Sequence, residues 1–394
     1  MRGGHALLGW AMRNIVVGVV LGLASTAFAQ VAPVAERVEK QNALFEEFYE
    51  TGLKNSPERA TAFGDYRYNS QLGQYSLADI ARQHAEAEDF LKRLKEIPTD
   101  GMTDIDLLSH QLLQRQIERE DTNYELKNYE MPVNQQNGVH TRLADLPLSV
   151  PLDSVAHYQD YISRLHQVPR VLDQLTEVMK QGMKDGLMPP KIVLEKLPAQ
   201  CDGIVEANPF LGPTKKFPSD FSDADKKRLT DEITKAVNDD VLPAYKKFAE
   251  FLKNDYDPKG RAEISVESLP DGKRRYAEAV KMMTTLNVTP AEVHEIGLKE
   301  VERITAEMTK LAKAQGQKDL ASFREAINND PKWKPKSEQQ IVDDFAKYIH
   351  QMEPKLPELF NLLPKAPVTV EAIPAFNKAA ATHYVAGTPD GKRP

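Results

Sequence analysis

Residues 155–179 read VAHYQDYISRLHQVPRVLDQLTEVM, and the placing of the apolar residues in this stretch decides the fold class. Val155, Tyr158, Ile162 and Leu165 return every three or four residues, and Leu172, Leu175, Val178 and Met179 resume the same stripe. Such spacing gathers side chains on one face of an α-helix, whereas a half-buried strand needs strict alternation. Pro169 falls between the two halves. Proline has no N–H to give to a helix interior, so the helix is expected to kink or break there.

The same period extends outward in both directions. Upstream, Val38, Leu44, Phe45, Phe48, Tyr49 and Leu53 share one broad face of a first helix. Ser76 starts a second, with Ile80, His84, Leu91 and Leu94 along its stripe, and Ile105, Leu108, Leu112 and Ile117 mark a third. Downstream, Ser222 precedes a helix carrying Leu229, Ile233, Val237, Leu242, Tyr245 and Phe248, with a kink expected at Pro243. Thr289-Pro290-Ala291-Glu292 joins a capping hydroxyl, a proline suited to the first helical position and a glutamate able to close a capping box. The stripe behind it (Val293, Gly297, Val301, Ile304, Met308 and Leu311) is expected to be buried. Ser337 with Gln340 reads as a second capping box, ahead of Ile341, Phe345, Tyr348 and Met352.

Strand signals come late. Val368–Glu371 and Thr382–Val385 are short and β-branched or aromatic, joined by the Pro- and Ala-containing stretch 372–381. The expected fold is mainly α, a multi-helix assembly with a small β element near the C-terminus. Asn208–Ser219, with its Gly and Pro turns, is the best internal boundary. It divides an N-terminal helical region, 30–207, from a second helical region, 220–394, that ends in the β element.

Residues 1–29 read as a signal peptide rather than as part of the fold. Arg2 and Arg13 supply positive charge, Ile15–Ser25 is apolar or small, and Ala27-Phe28-Ala29 is a small-x-small cleavage site. The apolar run is shorter than the ~20 residues of a spanning helix. A mature start at Gln30 is expected, in the periplasm or secreted, and no cysteine follows the site to carry a lipid anchor.

Composition narrows the classes further. At 41% hydrophobic and 28% charged, the 394 residues fit neither wholesale disorder nor a fibrous repeat. The whole chain has 51 basic and 58 acidic residues; removing Arg2 and Arg13 leaves 49 against 58, a net −9. An acidic chain without a basic stripe is not built for nucleic acid, and no later apolar run is long enough for a membrane span. The one cysteine, Cys201, can form neither an internal disulfide nor a Cys-based metal cluster, and is expected to be a buried small hydrophobe.

Motifs for chemistry are conspicuous by their absence. There is no GxSxG nucleophile elbow, no Walker A loop, no GxGxxG fingerprint and no HExxH. His294-Glu295-Ile296-Gly297-Leu298 comes nearest, but a leucine stands where the second zinc imidazole belongs. A histidine bonded to a neighbour is favoured there over a metal ligand. Asp153, His157 and Asp160 lie at i, i+4 and i+7, where a solvated, salt-bridged face is favoured over a cation site. His110, His140 and His166 have no evident carboxylate partner in sequence, and no Asp/Glu spacing singles out a glycosidase-type pair.

Three segments carry a resemblance. They are Phe45–Tyr49 with Ser56-Pro57-Glu58 and Gly64-Asp65-Tyr66; Leu286–Ile304 around the Thr289 cap; and Thr382–Pro394, which reads THYVAGTPDGKRP. Together they resemble, in order, the bacterial family known as domain of unknown function 885. The resemblance implies an exported, mostly helical protein similar to zinc metallopeptidases. It also implies a metal helix, with a His-Glu pair followed by Pro-Gly-His, downstream of the Tyr-x-x-Gly…Asp-Gly-x-Arg-Pro segment. The sequence stops at that segment, so no catalytic residue, metal ligand or general base carries over to it. Zinc is expected for the full-length family member and no cofactor for this chain.

Pro389-Asp390-Gly391 after an extended run reads as a hairpin turn, and the returning strand would be cut off after three residues. The leading expectation is therefore the N-terminal portion of a periplasmic zinc metallopeptidase-like hydrolase, inactive as it stands. A peptide is the partner implied. Tyr384, Gly387 and Arg393 are the residues to set against it by strand addition, although a core Tyr384 and a solvated Arg393 fit the sequence equally well. The alternative is a non-catalytic exported helical binding or scaffold protein. A metal-independent hydrolase of dispersed carboxylates is a third reading that no spacing favours.

Overall fold

The computed structural model describes residues 32–364 apart from 137, together with 367–373, 382 and 384. The stretch read as a signal peptide, residues 1–29, lies outside these residues. The longer helices are α1 (Val34–Asn55), α2 (Leu77–Lys95), α3 (Asp104–Glu125), α4 (Val155–Leu165), α5 (Val168–Asp185) and α6 (Leu197–Ala207). They continue with α7 (Asp223–Ala236), α8 (Leu242–Phe251), α9 (Gly272–Thr284), α10 (Pro290–Ala314), α11 (Leu320–Asn329) and α12 (Glu338–Met352). The fold is mainly α, and no described helix is long and apolar enough to cross a membrane.

The chain breaks where Pro169 requires it. α4 ends at Leu165, and α5 restarts at Val168 with Pro169 in its first turn, where a missing N–H leaves no helix bond unmade. On either side of the break the stripe is buried: Tyr158, Ile162 and Leu165 on α4, and Leu172, Leu175, Val178 and Met179 on α5. π-turns at Val237–Val241 and Leu252–Tyr256 flank α8, so Pro243 also falls in a first turn.

One continuous core draws its members from Leu72 to Tyr256. It runs through the Asn208–Ser219 stretch, where Phe210 and Pro213 are buried. The Tyr158 hydroxyl donates to the Pro213 carbonyl at 3.0 Å, and the Tyr161 hydroxyl donates to that of Phe210 at 2.8 Å. Arg164, fully buried, gathers the chain between residues 57 and 71. Its guanidinium donates to the Gln71 carbonyl at 2.8 Å and the Thr61 hydroxyl at 2.7 Å.

A smaller cluster of Leu44, Phe90, Leu94, Ile97 and Ile117 joins α1, α2 and α3. On α3 the expected stripe fails in part, since Ile105, Leu108 and Leu112 are exposed. The start of α3 instead turns a polar seam inward. Buried His110 meets Gln41 of α1 (Nδ1 to Oε1, 2.8 Å), and the Gln41 amide donates to the Asp106 carbonyl at 3.1 Å.

Two larger expectations are corrected. First, there is no strand among the described residues; the one pairing is an isolated bridge between Pro190 and Arg261. Val368–Glu371 is described and irregular: β-prone residue types make a strand only against a paired backbone, and no described residue pairs with it. Of Thr382–Val385 only Thr382 and Tyr384 are described, neither in a strand. The small β element near the C-terminus is therefore not part of the described fold.

Second, the stripe behind the Thr289 cap is not buried. Val301 is 63% exposed, and Ile304 and Leu311 also face water. Ala312 is the one buried residue of α10, and α11 and α12 have none. The cap itself forms as read: the Thr289 hydroxyl accepts from the Glu292 N–H at 3.2 Å, and the Glu292 carboxylate accepts from the Thr289 N–H at 2.7 Å. At α12 the box is displaced by one residue. Ser337 accepts from the Gln340 N–H, but the Gln340 side chain takes the N–H of Lys336.

Candidate functional site

Among the described residues, Tyr384 and the His294 segment do not meet. Tyr384 is 74% exposed, with no described element against it. Gly387 and Arg393 lie outside the described residues. His294 and Glu295 are exposed on α10, and exposed Leu298 occupies the next turn. A catalytic zinc needs three protein ligands and an open position. With one imidazole and a leucine facing water, this segment does not fit that ion.

The remaining described histidines are held by neighbours. His157 pairs with Asp153 one turn back (Nδ1 to Oδ1, 2.5 Å) and meets Tyr66 edge to face. Sequence spacing found that pair. His166 meets Asp240 of the π-turn at 2.6 Å, a partner 74 residues away that only the fold supplies. His350 pairs with Glu353 at 3.0 Å. His140 is fully buried, with one ring nitrogen 3.4 Å from Gln200 and the other unpartnered. Burial pushes its pKa down to about 4, so the ring is neutral at pH 7. The Cys201 thiol is pushed up to about 12, chiefly by burial, which leaves it inert as a nucleophile.

One grouping does come together on the surface. His84 of α2 lies 3.8 Å from the Glu88 carboxylate on the same helix and 3.7 Å from Asp121 on α3. The ligating atoms of the three lie within 4.8 Å of one another. His84 entered the sequence reading only as a member of the α2 stripe. The i, i+4 spacing to Glu88 was legible there; Asp121 was not, because it arrives through the packing of α3 on α2.

The described residues form a mainly helical fold with one large buried core, followed by amphipathic helices α10–α12 whose apolar residues are largely exposed. Residues 57–394 match the family described as "Bacterial protein of unknown function (DUF885)", and the chain belongs to that family. Two solved structures share the fold. One is the "putative lipoprotein from Colwellia psychrerythraea", with a TM-score of 0.80 and 22% identity over 91% of this chain and 66% of that one. The other is a "putative lipoprotein of unknown function from Shewanella oneidensis", with a TM-score of 0.54 and 16% identity over 87% of this chain and 61% of that one. The chain thus spans just under two thirds of the length of these structures. No curated protein sequence matches it.

Proposed function

We propose that this chain is the N-terminal helical portion of an exported, zinc metallopeptidase-like hydrolase, without peptidase activity by itself. The observation that carries this reading is the uncovered apolar face of α10 and α12. Ile296, Val301, Ile304, Ile341, Phe345 and Tyr348 all lie open to water. So many large apolar side chains left exposed along two amphipathic helices favour faces built to be covered. The length relation supports it, since about a third of each solved relative has no counterpart here. The family resemblance adds metal ligands beyond Arg393, and Tyr384, Gly387 and Arg393 are the residues we would set against a peptide substrate.

Export rests on the leader-like first 29 residues and on the description of both solved relatives as lipoproteins. A lipoprotein carries its acyl chain on a cysteine that follows the cleavage site. The one cysteine here is Cys201, buried in α6, which favours release over anchoring.

The same uncovered face favours a second reading, a non-catalytic binding or scaffold protein that docks a partner there. Assays of peptide hydrolysis and of zinc retained through dialysis against a chelator separate the two. The 394-residue chain should show neither, and the product of the reading frame continued past Pro394 should show both. Peptide cleavage by the 394-residue chain would overturn the first reading. A stop codon directly after Pro394 would move the support to the second.

A further inference from the structure

We propose that His84, Glu88 and Asp121 form an exchangeable site for a divalent transition-metal ion on the face of the α2–α3 pair. The site uses none of the residues discussed for peptidase chemistry and does not depend on that reading.

Three features separate this grouping from ordinary surface charge. The first is its donor set, one imidazole and two carboxylates contributed by two helices. Among the described residues neither carboxylate forms an ion pair with a lysine or arginine, and the His84 imidazole lies beside both. The grouping sets two carboxylates beside one imidazole nitrogen, the donor types a transition-metal ion takes. The other histidine pairs of the surface, His157–Asp153, His166–Asp240 and His350–Glu353, each offer one carboxylate.

The second feature is distance. At 3.7 and 3.8 Å the contacts are too long for hydrogen bonds. An ion about 2.1 Å from each donor in tetrahedral geometry sets the donors about 3.4 Å apart. The two separations from His84 are a few tenths of an ångström wider and all three donors lie within 4.8 Å of one another, so the exposed Glu88 and the partly exposed Asp121 would close on an ion by side-chain rotation.

The third is preorganisation. The His84 ring stacks on Tyr124 with centroids 3.7 Å apart and planes 12° apart, and Tyr124 in turn stacks on Tyr129 at 5.5 Å. The imidazole plane is therefore set before any ion arrives. An ion held here has three protein donors and open positions for water, which makes it exchangeable. Imidazole with carboxylates suits zinc, cobalt or nickel, whereas magnesium prefers oxygen donors alone.

Calorimetric titration of the protein with zinc chloride, with magnesium chloride as a parallel arm, tests the proposal. One saturable equivalent of zinc is expected, with no comparable magnesium binding. Asp121→Asn, which keeps the side-chain shape, and His84→Ala should each weaken zinc binding, by roughly 10–100-fold or more. His157→Ala should leave the titration unchanged. Circular dichroism of the metal-free variants should match the parent. Absence of saturable zinc binding, retention of parental affinity in either variant at 84 or 121, or equal binding of magnesium would each overturn the site.

Discussion

α5 and α10 are both amphipathic helices with clear start signals, and they meet opposite surroundings. The 18 residues of α5 bury Val168, Val171, Leu172, Leu175, Val178, Met179 and Gly182. The 25 residues of α10 bury Ala312. Apolar periodicity reports which face a helix would bury; it does not report whether the covering element lies in the same stretch of chain. Hydrophobic stabilisation follows the area actually removed from water. The core from Leu72 to Tyr256 therefore carries the stability of this chain, while α10–α12 stand as helices with their anchoring face unused.

The sharpest way to break this comparison is to make the same substitution in both regions. Phe248 is 1% exposed and Phe345 46%. Phe248→Ala should cost about 3–5 kcal/mol in denaturant unfolding, and Phe345→Ala should stay within about 0.5 kcal/mol. Equal losses would mean that α12 is packed as firmly as α8.

Acid should separate the regions as well. His140 is buried neutral in the core region, with its pKa lowered from 6.5 to about 4 by burial. The unfolded chain takes up a proton near pH 6.5 that the folded chain refuses until about pH 4. Stability should therefore fall as pH drops through that window, by about 3 kcal/mol in all. Replacing His140 with Gln should remove this part of the acid sensitivity. An unchanged slope of stability against pH between 6.5 and 4 in that variant would place the effect elsewhere.

The smallest effect is local. Thr289→Ala removes the cap of α10 and should cost about 1 kcal/mol. Because α10 is scarcely packed, the loss should appear as faster amide exchange in its first turns, with little change in the unfolding of the core. A full shift of the core transition would tie α10 to the core more tightly than its exposed stripe allows.

Much of the fold was legible because local chemistry decided it. The break at Pro169, the caps at Ser76, Ser222 and Thr289, and the buried stripes of α4, α5, α7 and α8 follow from side-chain spacing and backbone donors. What failed depended on partners. The inward turn of His110 toward Gln41 displaced the leucines of α3, and Val368–Glu371 read as a strand on residue type alone. At the site level, one turn of helix placed Glu88 beside His84 and Asp153 beside His157. Asp121 and Asp240 come from other elements, and no spacing in the sequence announces them.

Amide hydrogen exchange, compared between the 394-residue chain and a chain continued past Pro394 to the length of the solved relatives, tests the central claim most directly. In the shorter chain α5 and α8 should be strongly protected and α10 and α12 weakly. In the longer chain protection of α10 and α12 should rise toward that of the core as their apolar face is covered. Strong protection of α10 and α12 already in the 394-residue chain, or no gain on lengthening, would contradict the account.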